Sequence, residues 1–175
     1  LLSQAEHDPR ARAIMVTTSE RLANAVSDEV ERQLKLLPRE SIARPAIENN
    51  SYIAVMDSVE DMFTVMNEVA PEHLEIQLPD PMGYMSLVQN AGSVFLGAYA
   101  SEPLGDYVGG TNHVLPTSGT ARFSSPLGVY DFVKRTSFTQ FTKERLEEVA
   151  THITTLARTE GLEAHARAIE VRFEK

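Results

Sequence analysis

Four short apolar runs alternate with amphipathic helical patterns over the first hundred residues, and this alternation is what most restricts the fold. Residues 13–17, 52–56 and 93–97 are apolar stretches of the kind buried strands use, and residues 74–78 alternate apolar with polar side chains. Leu22, Val26, Val30, Leu34 and Leu37 recur on one helical face, entered through Ser19 and stopped at Pro38. Residues 39–49 read as a further helix, with Pro45 the one discordant residue. Ser58 followed by Asp61 resembles a capping box for a helix carrying Val59, Met62, Phe63, Met66 and Val69 up to Pro71. A short helix is expected around residues 82–89. Strands alternating with helices predict an α/β fold with a parallel sheet covered on both faces. In open sheets of this type, ligands sit beyond the carboxyl ends of the strands.

A glycine-rich stretch leaves the fourth run on that side. Residues 104–135, LGDYVGGTNHVLPTSGTARFSSPLGVYDFVKR, hold five of the nine glycines and lack a clean apolar period. So long a loop in a compact domain is usually functional or disordered. Tyr107, Val108, Val114, Leu115 and Phe123 are expected to bury and order it, which favours function. Helices are expected over residues 129–135, then with Leu146, Val149, Ile153 and Leu156 on one face, then with Leu162, His165, Ile169 and Phe173. These last helices read as a separate tail, docked elsewhere or on a partner chain. The predicted division is an α/β domain over residues 1–135 and a helical segment over residues 136–175.

Composition narrows the function classes. The net charge of −9 leaves no basic stripe for nucleic acid. Without cysteine there is no disulfide framework and no thiolate metal site, which suits a reducing cytoplasm. No apolar run approaches the roughly 20 residues of a membrane span, so no membrane partner is expected. The opening LLSQAEH reads as a helix interior without a cap, so a longer protein, with its N-terminal part missing here, is expected.

The histidines and their acidic neighbours are the candidate chemistry. Gln4 and His7 are three apart and share a helical face; they are metal ligands or an ordinary exposed helix end. Glu72 and His73 are adjacent at a helix-to-strand junction, either two proton carriers or a surface pair. Asp106, among glycines, is a metal ligand or a turn former, and His113 contacts a substrate or packs the loop. His165 lies on an apolar helical face, where a core or interface histidine is the default, and His152 reads as solvated. The sequences GxSxG, GxGxxG and GxxxxGK[ST] are all absent, which leaves Ser118, Ser124 and Ser125 without a nucleophile elbow and the chain without a recognisable nucleotide motif.

The motifs NAGxxFLG, LGDYVxGxNHVLPTSGxARF and SPLGVYDFVKR, with APEHLE at residues 70–75 and EGLEAHARAIEVR at residues 160–172, resemble histidinol dehydrogenase over essentially the whole chain. The resemblance is to the C-terminal part of that enzyme. It implies an incomplete Rossmann-like domain followed by a helical tail, and a cytoplasmic oxidoreductase of histidine biosynthesis. The family takes L-histidinol to L-histidine through an aldehyde in two NAD-linked steps, with one zinc per site. The resemblance implies zinc ligands Gln4, His7, Asp106 and His165, proton acceptors Glu72 and His73, and substrate contacts at His113 and Glu160 as well as at His73 and the zinc ligands. It also implies a homodimer in which the C-terminal segment completes the neighbour's site. The family's NAD-binding segment and a substrate-contacting serine would lie upstream of Leu1, so this polypeptide alone is expected not to turn over histidinol. Two alternatives are a non-catalytic binding or assembly module of the same fold and, more remotely, a metal-dependent hydrolase built on the same ligands.

Overall fold

Each of the four runs becomes a four-residue strand: β1 at Ile14–Thr17, β2 at Tyr52–Val55, β3 at His73–Ile76 and β4 at Ser93–Leu96. The computed structural model describes residues 1–174 and divides into two compact units, one covering Leu1–Phe132 and the other starting at Val133. In the first unit β1 pairs parallel with β2, Ile14 opposite Tyr52, and β3 pairs parallel with β4, His73 opposite Ser93. The strands are parallel as expected, but among the described residues they form two separate pairs rather than one sheet. Cover on both faces is also not realised for β2, where Tyr52, Ile53 and Val55 are exposed. A pair of such short strands is too narrow for helices to cap on both sides.

The connecting helices start where side chains satisfy their first amides. Helix α1 is a single turn at Leu2–Ala5. Ser19 Oγ accepts from the Leu22 N–H at 3.2 Å and opens α2 at Glu20–Leu34. Helix α3, Glu40–Asn50, tolerates Pro45 inside it. Helix α4, Val59–Val69, is capped by Ser58, whose Oγ accepts from the Asp61 N–H at 3.0 Å and donates to Asp61 Oδ2 at 2.6 Å. It ends on Ala70 in the left-handed region at φ 50°, directly before Pro71. A 3-10 helix at Pro81–Leu87 takes the place of the short helix expected near residue 82.

Two apolar clusters hold this unit together. Ala5, Leu34, Ala43 and Ala46 join α1, α2 and α3. Phe63, Met66 and Ile76 gather Leu74, Val94 and Leu96, so α4 covers one face of the β3–β4 pair. Side chains alternate across a strand, which leaves His73, Glu75, Ser93 and Phe95 on the opposite face.

The glycine-rich stretch is ordered differently from expectation. Helix α5, Glu102–Tyr107, takes Asp106 out of the loop, and 3-10 turns form at Thr120–Arg122 and Val129–Phe132. The last of these replaces the expected helix over residues 129–135. Tyr107, Val108, Val114 and Phe123 are exposed rather than buried. Hydrogen bonds do the ordering instead: Gly109 N–H donates to Leu104 O at 2.6 Å, Leu127 N–H to Val114 O at 2.9 Å, and the Arg122 guanidinium to the Glu68 and Gly119 carbonyls. Segments punctuated by Gly and Pro are too short to drive large side chains into a core.

The second unit is a pair of packed helices, α6 at Lys143–Thr159 and α7 at Glu163–Glu170. Thr142 caps α6. Arg158 ties the pair together through Glu163 at 2.8 Å and Glu170 at 2.9 Å. No helix is long and apolar enough to cross a membrane among the described residues.

Candidate functional site

The face of β3–β4 turned away from α4 brings together a group of ionisable side chains, His73, Glu102 and Asp106. His73 opens β3, and its ring lies against Phe95 of β4 with centroids 6.1 Å apart. Glu75, two residues on, accepts at Oε1 from the Glu102 N–H at 3.0 Å. The first turn of α5 is thereby held by a strand carboxylate, while Ser101, at the capping position, makes no side-chain bond to it. One turn further, Gly105 meets Phe95: a Cβ there would lie 2.8 Å from ring carbons Cε1 and Cζ. Asp106 follows, and its Oδ1 accepts from His113 Nδ1 at 2.7 Å.

Glu102 is the residue that sequence reasoning missed. The residue is 8% exposed, and its carboxyl is hydrogen-bonded to Asp106. Burial first, then the Asp106 hydrogen bond and the charges of Asp106 and Glu75, push its pKa up to about 7. Asp106 is held below the usual carboxylate range, chiefly by the His113 hydrogen bond and then by Glu102. His113 is raised in turn by Asp106. The unused signal is Pro103: proline is favoured in a first helical turn, and a helix from 102 puts Glu102 and Asp106 one turn apart on one face.

Ligand atoms of His73, Glu102 and Asp106 all lie within 4.8 Å of one another. Imidazole and carboxylate are donors that zinc accepts, so the chemistry of this group suits a divalent ion. Glu72 stands beside His73 with its carbonyl bonded to the Ser93 N–H at 2.8 Å. Gly92 lets the chain pass there, since a Cβ would lie 2.6 Å from the Glu72 carbonyl and 3.1 Å from Pro116 Cδ.

The histidinol dehydrogenase family profile matches residues 1–173. The chain belongs to the histidinol dehydrogenase family. It is 68% identical over 174 residues to the histidinol dehydrogenase of Lactiplantibacillus plantarum, covering 99% of this chain and 41% of that protein. With the histidinol dehydrogenase of Streptococcus mutans it shares 61% over 175 residues, 100% of this chain and 41% of the relative. The crystal structure of histidinol dehydrogenase from Elizabethkingia anophelis superposes with a TM-score of 0.85 at 40% identity, over 99% of this chain and 40% of that one. The chain therefore spans about two fifths of the length of the histidinol dehydrogenases it matches, and its fold is an α/β unit with parallel strands followed by helices.

The residues singled out from the family motifs are carried by three groups of elements. His73, Asp106 and His113 come together on the β3–α5 face, with Glu72 adjoining. Gln4 lies on α1, which packs on α3, and His7 is exposed just beyond that helix. Glu160 and His165 belong to the second unit, at the end of α6 and on α7, both exposed in the single chain.

Proposed function

We propose that this chain supplies the metal-binding and acid–base groups of a histidinol dehydrogenase, which oxidises L-histidinol through L-histidinal to L-histidine with NAD as hydride acceptor. The observation that carries this is the convergence of His73, Asp106 and His113 on one face of β3–β4 with Glu72 alongside. Gln4, His7 and Asp106, with His165 from a second copy, are the groups that would hold zinc. That ion, when bound, supplies a fixed positive charge that orients the imidazole and amine of the substrate.

The chain's own residues then handle protons and water. His73 accepts the hydroxyl proton while the carbinol C–H bond breaks and its hydrogen leaves with the electron pair to the nicotinamide, giving the aldehyde. Glu72 takes a proton from water as the water oxygen bonds to the aldehyde carbon, and protonated His73 returns its proton to the former carbonyl oxygen, giving the hydrate and a neutral His73. Loss of a second hydride to NAD, with His73 again accepting a hydroxyl proton, leaves the carboxylic acid. His113 and Glu160 contact the substrate, and the Asp106–His113 bond keeps the imidazole near its polar groups.

Calorimetric titration of the chain with L-histidinol, with and without Zn2+, tests this. Binding is expected only with Zn2+ and is expected to be lost in Asp106→Asn. Equal binding without the metal, or unaltered binding in Asp106→Asn, would remove the basis for the assignment.

A further inference from the structure

Two residues with no part in the chemistry above lie between the groups that do. Glu75 and Phe95 are direct partners in the parallel register of β3 and β4. They share a face with His73, since residues two apart on a strand point the same way. Each touches α5 at a different point. Glu75 holds the N–H of Glu102 at the start of the helix, and Phe95 fits into the space left by the missing side chain of Gly105. Phe95 also lies against the His73 ring, 6.1 Å between centroids and tilted by 39°. It is 8% exposed, so it has little room to move.

We infer that Glu75 and Phe95 are positioning residues: together they seat α5 on the strand pair and so fix Asp106 at its working distance from His73. The roles given above to His73 and Asp106 are the premise. The physical argument is one of shared parts. A carboxylate on β3 caps the helix whose next turn carries Asp106, so sliding α5 along the strands breaks the Glu102 N–H bond. Lifting α5 away opens a gap over the Phe95 ring, and pressing it closer is blocked by that ring. His73 lies against the same ring, so one rigid aromatic bears on both separations. Glycine at position 105 is required by this contact alone; its φ is unremarkable, unlike that of Gly110.

The test uses the whole chain with Co2+ as the probe, each variant first checked by circular dichroism. Glu75→Ala is expected to speed hydrogen exchange at the Glu102 amide about fivefold, as for a lost helix cap, and to weaken Co2+ about tenfold, as for lost support behind a ligand. Glu75→Gln keeps an acceptor oxygen and is expected to stay near the parent in both. Gly105→Ala is expected to weaken Co2+ by about tenfold or more, and Phe95→Leu, which leaves α5 and His73 without their common support, by a similar factor. Because both act through one contact, the double variant is expected to lose clearly less than the product of the two, whereas unrelated losses of packing would multiply.

Parent-like exchange in Glu75→Ala, equal damage in Glu75→Gln, or losses that simply multiply in the Gly105→Ala, Phe95→Leu double variant would each overturn the inference. Asp106→Asn distinguishes this from the failure of the metal assignment. If that variant binds Co2+ like the parent, or the parent binds none, the assignment fails. The seat is then judged on the Glu102 amide and on the His73–Asp106 separation in a crystal structure of Gly105→Ala, which must lengthen for the inference to stand.

Discussion

His113 Nδ1 lies 2.7 Å from Asp106 Oδ1, so an exposed loop imidazole is pinned to a carboxylate on α5 seven residues earlier. The hydrogen bond lowers the carboxylate's pKa and raises the imidazole's. Asp106 therefore contributes stability above its unfolded pKa that is lost as pH falls through its lowered value. His113 contributes stability below its unfolded pKa that is lost as pH rises through its raised value. In chelator, NMR titration of His113 is expected to give a midpoint above the ordinary 6.5. Asp106→Asn is expected to bring it back, and an unmoved midpoint would count against the pair.

Glu102 behaves in the opposite sense from a salt-bridged carboxylate. Its folded pKa of about 7 lies above the ordinary 4.5, so the folded chain holds a proton that the unfolded chain gives up. Its contribution is complete below about pH 4.5 and is lost as pH rises through about 7. Glu102→Gln, neutral at every pH, is expected to melt higher relative to the parent at pH 8 than at pH 5. The same difference at both pH values would refute this.

Gly92 and Gly110 separate crowding from backbone strain. Gly92→Ala pushes a methyl to 2.6 Å from the Glu72 carbonyl and against Pro116, and overpacking of this kind costs about 1–3 kcal/mol. Gly110 has a φ of 77° with nothing within 4 Å. Gly110→Ala is expected to cost about 1 kcal/mol from the left-handed backbone alone. Urea denaturation of the two variants checks the order: a larger loss of stability in Gly110→Ala than in Gly92→Ala would refute it.

Asn67 on α4 substitutes for a turn of backbone. Its Nδ2 donates to Leu87 O at 2.8 Å, and its Oδ1 accepts from the N–H groups of Gln89 at 2.8 Å and Asn90 at 3.2 Å. Asn67→Ala strips partners from three backbone groups and is expected to cost about 2 kcal/mol. Hydrogen exchange at Gln89 and Asn90 is expected to accelerate with it. Protected amides at those positions in the variant would show that water or a neighbour replaces the side chain.

Local features of the sequence translated into structure where the physics is local. The apolar runs became β1 to β4, and Ser19 and Ser58 cap the helices they precede, because strand propensity and N-capping are read within a few residues. Helix α5 was hidden because glycines at 105, 109 and 110 depress helical propensity and mimic a loop. Its hold comes from Glu75, 27 residues away. Glu102 was hidden for the same reason: an acid in a polar stretch looks solvated until Asp106 and β3 enclose it. The split into two strand pairs is a matter of long-range pairing, which apolar periodicity does not encode. The family motifs drew attention to Asp106, His113 and His73, and the fold brings those three together.

The bare apolar surface of β2 governs how this polypeptide behaves in the tube. Tyr52, Ile53 and Val55 face solvent within a stretch, residues 51–56, that carries no charge. Its main-chain amides are a template on which any extended peptide can add a rung. Concentrated samples are accordingly expected to self-associate through this border, and one lysine, Ile53→Lys, is expected to keep them monodisperse in light scattering.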